Sequence, residues 1–185
     1  MGKNAWPTEP WLPGPAIRCA TPPVMTTRKP MTSDPLSDLA SLLPRAIAWG
    51  ESQSANILQT GQPLTPTLES LASSVGVKYP EKIRIIEIAE LPMPEDSELR
   101  AAGLKLGLLG PHMLGITFGY GIYVRKGYVT RRLLSHEFRH TYQYEQAGSI
   151  AAFLKQYIEQ IAVTGYYDAP FERDARAHET GHALE

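Results

Sequence analysis

Apolar positions along this chain change period several times, and each change predicts an element. The stretch "EKIRIIEIAEL" (81–91) is rich in β-branched residues and predicts a buried strand. "LGITFGYGIYV" (114–124) reads as a second extended region. Ile116, Phe118, Tyr120, Ile122 and Val124 share one face, opposite Thr117, Gly119 and Gly121. The bare face left by two glycines lets another backbone approach. That fits either a bulged or kinked strand packed on a helix or an edge that faces a substrate. From about Thr130 to Ala147 the pattern becomes helical, and Gly148 ends it. Ser149 caps another helix, in which Ile150, Phe153, Leu154, Tyr157, Ile158 and Ile161 form one stripe, and Gly165 stops it. After the loop "YYDAP", Pro170 opens a last helix.

Earlier in the chain, Asp34-Pro35 reads as a cap and first-turn proline. Helices follow at about 35–43 and 45–59, broken or kinked by Pro44. Thr65-Pro66 starts a shorter helix that ends near Gly76. Residues 1–33 hold seven of the sixteen prolines and show no period, which predicts a disordered or loosely held tail. The pattern predicts an α+β fold: one mostly helical domain over 34–183, with a small sheet packed against the 130–147 helix.

Composition narrows the function classes. With 18 basic and 19 acidic residues the formal net charge is −1, so nothing favours a nucleic-acid or membrane surface. The single cysteine, Cys19, excludes an intrachain disulfide framework and a cysteine-rich zinc cluster. No apolar run approaches the roughly 18 residues of a membrane span, and the N-terminus lacks a signal-peptide core. The expectation is a soluble, cytoplasmic protein.

The chemistry lies in the histidines. Four of the five fall in two copies of His-Glu-x-x-His, at 136–140 and 178–182. On a helix, residues four apart differ by about 40° around the axis, so two imidazoles can share one metal. The glutamate is rotated by about 100° from the first histidine, out of that ligand set but able to take a proton from metal-held water. His136 and His140 meet this requirement in mid-helix, with Glu137 as the base. The second copy carries Gly181 in its interior and has three residues after it, so it reads as a coincidence. A third ligand for the first copy is available in Glu172, in the first turn of the last helix. Asp168, Asp174, His178 and Glu179 are lesser candidates, and the plain alternative for Glu172 is an acid favoured by a helix N-terminus. Two histidines and one glutamate form an open zinc site of the catalytic type.

The stretch "HEFRHTYQYEQAGSIAAFLKQYIEQIAVTGYYDAPFERDARA", with "GITFGYGIYV" before it, resembles the minimal zincin-like metallopeptidase families of bacteria. These are similar to gluzincins reduced to a His-Glu-x-x-His helix and a later Glu-x-x-Ala helix. The likeness spans about residues 80–180, and Glu172-Arg173-Asp174-Ala175 matches the second pattern. It implies zinc on His136, His140 and Glu172, Glu137 as general base, and a strand laid ahead of the active-site helix. Thermolysin-type enzymes carry an acid four positions after the third ligand, where this chain has Arg176. The group that orients His136 is therefore open, with Asp174 nearby in sequence. Tyr142, Tyr144, Tyr166 and Tyr167 are candidate transition-state donors, each also readable as a packing aromatic. Arg139 reads as a solvated or ion-paired helix residue and His112 as an exposed loop histidine.

The leading expectation is a zinc-dependent hydrolase acting on a peptide or protein. Its rival is a non-catalytic zinc-holding interaction module, because a short chain has little sequence with which to wall a protease cleft. A third reading is a metal-free helical domain with a fortuitous motif. Stoichiometric zinc would remove the third reading; loss of hydrolysis in Glu137→Gln with zinc retained separates the first two.

Overall fold

The computed structural model describes residues 35–181, with side chains from Ser41 onward. The expectations for residues 1–33 and for His182 lie outside that range. A long helix, α1 (Pro35–Thr60), leads into the two-residue strand β1 (Gln62–Pro63) and helix α2 (Pro66–Ser74). A 3-10 turn at Pro80–Lys82 precedes β2 (Arg84–Ile88), and α3 (Ser97–Leu106) follows. The hairpin β3 (Gly115–Phe118) and β4 (Gly121–Arg125) comes next. Helices α4 (Arg131–Ala147), α5 (Ile150–Thr164) and α6 (Pro170–Ala177) complete the described chain. The fold is α+β: six helices and one small mixed sheet among the described residues.

The sheet order is β1-β2-β4-β3, with β2 and β4 parallel and the outer pairs antiparallel. Alternation along the strands divides the core. Ile85, Ile122 and Val124 pack with Leu134 and Phe138 of α4 and with Leu71 and Ala72 of α2. Ile86, Phe118 and Tyr123 face Ile57 and Trp49 of α1. The sheet is therefore sandwiched between α1 and the α2–α4 layer. Each fully buried side chain here, such as Phe138 or Ile122, contributes about 1.5–3 kcal/mol. A second cluster joins Tyr144 of α4 to Phe153, Tyr157 and Ile161 of α5 and to Phe171 of α6. Phe153 stacks between Tyr144 and Phe171, at ring separations of 3.7 and 5.1 Å.

Three expectations are corrected. The 114–124 stretch is a hairpin, not one strand. Gly119, with φ +68°, takes the first central position of its two-residue turn, where turns that match the strand twist favour positive φ. The bare face at Gly121 receives Ile57: a Cβ built on Gly121 would lie 2.9 Å from that side chain's Cβ. Pro44 lies inside one continuous α1 and does not divide it. The helix beyond Pro44 is held by packing on the sheet, and Ser54 donates a 2.9 Å hydrogen bond to the Phe118 carbonyl. The 81–91 strand is shortened by the 3-10 turn. Helix α3 was not anticipated. Asp96 caps it, accepting from the backbone of Glu98 and Leu99, and pairs with Arg45 of α1.

Candidate metal centre

Thr130 starts α4 by accepting from the Leu133 backbone at 3.2 Å, and buried Leu134 and Phe138 fix which face of the helix meets the sheet. That orientation turns His136 and His140 toward α6. Glu172 sits in the first turn of α6 and is 2 % exposed. Its place is set by α5: the Gln160 side chain accepts from the Phe171 backbone at 3.0 Å, and Tyr157 donates to Glu172 Oε1 at 2.5 Å. His136, His140 and Glu172 form a group that could hold a metal ion, with ligand atoms all within 4.8 Å of one another.

The hydrogen bonds around the group decide which ring atoms face inward. Gln143 donates its amide to the Phe171 carbonyl (2.9 Å) and to Asp174 (2.8 Å). Its Oε1 is therefore left to accept from His140 Nδ1, 2.8 Å away. His136 Nδ1 faces a Glu179 carboxylate oxygen at 3.1 Å. Both Nδ1 atoms thus donate, and both Nε2 lone pairs point at one place. The two Nε2 atoms are 3.1 Å apart. Glu172 Oε1 lies 3.2 Å from the His140 Nε2, and Oε2 lies 3.6 Å from the His136 Nε2. Three acceptors at this spacing repel one another unless a cation or a shared proton lies between them. Tetrahedral ligands at about 2.0–2.1 Å from an ion stand about 3.3 Å apart, so the donor set and its spacing fit a metal.

Electrostatics agree with that geometry. Burial alone would lower the His140 pKa, but Glu172, through its hydrogen bond and then its charge, raises it to about 9. Burial alone would raise the Glu172 pKa, but His136 and His140 hold it well below the usual carboxylate range. Without a metal, the pair keeps a proton where a cation belongs. Tyr157 and Tyr166 are kept as neutral phenols, first by burial and then by the Glu172 carboxylate.

Glu137 stands outside the ligand group and lines the same cavity. It is 4 % exposed, and its Oε2 accepts a 2.7 Å hydrogen bond from Thr117 of β3. Gly115, two residues earlier, lies flush against the carboxylate: a Cβ there would fall 2.5 Å from Oε1. This is the hairpin glycine that meets Glu137, and the alternation reading fixed on Gly119 and Gly121 instead.

The other candidates fall into place. Asp174 pairs with both arms of Arg139, at 2.7 and 3.0 Å, and supports Gln143, so it steadies His140 and does not touch His136. Arg139 is ion-paired and also lies over the Tyr142 ring. Arg176, four residues after Glu172, lies 3.6 Å from its Oε2. Tyr144 donates to the Thr117 carbonyl, and Tyr167 is 70 % exposed beneath Arg176. Asp168 and His112 are exposed. In the second motif, α6 ends at Ala177, so His178, Glu179 and Thr180 are not helical, yet Glu179 meets His136 and the Thr180 backbone donates to Ser135. Tyr157 and Gln143 were missed as site residues, and Glu179, a lesser candidate for the third ligand, instead partners His136 Nδ1. The repeated pentapeptide was the one signal that pointed to Glu179.

Compared with family models, curated proteins and solved structures, the chain matches none of them. Among the described residues no helix is long and apolar enough to cross a membrane.

Proposed function

We propose that this protein is a zincin-like, zinc-dependent hydrolase that cleaves an amide bond of a peptide, with His136, His140 and Glu172 as ligands and Glu137 as general base. The observation that carries the reading is the convergence of two histidine Nε2 atoms and a buried glutamate beside a second, separately held glutamate. Zinc bound there would supply Lewis-acid activation of a water and of the scissile carbonyl. Thr117 holds Glu137 Oε2, which leaves Oε1 to take a proton from the attacking water and return it to the leaving amine. Glu179 and Gln143 hold the two imidazoles in the tautomer that presents Nε2. Tyr157 and Tyr166 stay neutral phenols beside Glu172, and Tyr157 donates to its carboxylate, which holds the third ligand in place. Side chains of α1 and α3 line the cavity beside the ligand group, which favours this reading over a non-catalytic interaction module.

The test is metal analysis and cleavage of a peptide library by wild type and Glu137→Gln. One zinc in each, with turnover reduced about 10²–10⁴-fold in the variant, supports the mechanism. Equal cleavage by both would falsify it.

A further inference from the structure

A cavity of about 130 Å³ runs from the histidines past the edge strand β3. Its walls away from the ligands are apolar: Trp49 of α1, Leu99 and Ala102 of α3, Phe118 of β3, and Leu154 and Ile158 of α5. Among the described residues, the only lining groups that carry charge are those of the site itself. An apolar cavity of roughly 150 Å³ takes up benzene, so this one has room for a single leucyl- or phenyl-sized group.

Beside the cavity, α1, β3 and α5 pack closely. At Gly50 three elements meet: a Cβ there would lie 3.4 Å from Ile150, 3.5 Å from Phe118 and 3.6 Å from Leu154. Two β3 carbonyls are tied to neighbouring helices, Thr117 to the Tyr144 hydroxyl at 3.2 Å and Phe118 to Ser54 at 2.9 Å. Away from the site, no charged group among the lining residues could receive a free terminus.

We infer that the cavity accepts one uncharged apolar group of the substrate, of leucyl or phenyl size, next to the scissile bond. The inference deepens the hydrolase reading and rests on it for the word substrate; occupancy of the cavity can be tested separately.

The first arm titrates zinc-loaded, full-length protein with hydroxamates of increasing tail size. Affinity should rise about fourfold per methylene from acetohydroxamate to the isobutyl or phenylacetyl compound, then stop rising by octanohydroxamate. Tails of equal length ending in carboxylate or ammonium should bind at least tenfold more weakly. Ala102→Leu, which fills the wall without touching a ligand, should weaken phenylacetohydroxamate tenfold and leave acetohydroxamate within twofold. A continued climb at octanohydroxamate, or equal binding of charged tails, overturns the inference. The second arm needs no zinc: benzene should raise the melting temperature of the protein as purified, and Ala102→Leu should abolish the rise. Absence of that rise overturns the cavity assignment whatever the metal content, whereas absence of stoichiometric zinc with the rise intact overturns only the hydrolase reading.

Discussion

Glu179 and His136 are forty-three residues apart, and a Glu179 carboxylate oxygen lies 3.1 Å from the histidine's Nδ1. Glu179 is also clamped by Arg132, one turn before His136 on α4, and both Glu179 and His136 are largely buried. A carboxylate at this position fixes the ring, directs Nε2 inward and strengthens it as a ligand. The degenerate second motif therefore supplies the partner that Arg176 cannot.

Glu179→Ala should weaken zinc binding by about 10–100-fold, with Glu179→Gln intermediate because its amide oxygen can still accept. His178→Ala should leave affinity unchanged, since among the described residues the His178 side chain bonds only to Asp174. Competition titration with a zinc-chelating dye decides this, and equal losses from both positions would sink the assignment.

Metal uptake should depend on pH with a definite sign. His140 titrates at about 9 in the metal-free protein, above its ordinary value, so near neutral pH zinc must displace its proton. Affinity should rise by about tenfold per pH unit from this group and level off above pH 9. Calorimetry in buffers of different ionisation enthalpy should count that proton. The same shift stabilises the metal-free fold fully below pH 6.5, and the contribution is lost as pH rises through 9.

Tyr157→Phe removes the donor to Glu172 while keeping the ring packed on Phe153. Hydrogen bonds to a charged group contribute about 1.5–3 kcal/mol. Urea unfolding of the metal-free variant should show a loss of that size. Tyr167→Phe, at an exposed ring, should show almost none.

Gly115→Ala places a methyl against Glu137 Oε1 and Cδ, at 2.5 and 2.8 Å. The carboxylate must leave its Thr117 hydrogen bond, at a cost of about 1–3 kcal/mol for crowding a packed site. Zinc content should stay at the wild-type level while turnover falls. Wild-type turnover in this variant would show that the fit between strand and glutamate is not needed.

The second half of the chain was legible because its signals are local. Thr130 and Ser149 cap helices within three residues of themselves, and the four-residue spacing of His136 and His140 sets their common face through the 3.6-residue turn. Helix α6, with Glu172 in its first turn, followed from Pro170 by the same reasoning. Short-range geometry of this kind depends on backbone dihedrals and needs no partner. The remainder waits on packing. Whether Gly119 bends the 114–124 stretch is decided by α1, which packs Ile57 on Gly121 and ties Ser54 to Phe118. Pro44 stays helical because the helix beyond it is held on the sheet. Tyr157 reads as one more residue of an apolar stripe until α6 brings Glu172 to its hydroxyl. Glu179 lies in a stretch that forms no helix, and only the docking of that stretch on the first turn of α4 carries its carboxylate to His136. Spacing along the chain settled which side chains share a face. The burial of apolar faces against one another, which no local period encodes, settled what each of those faces meets.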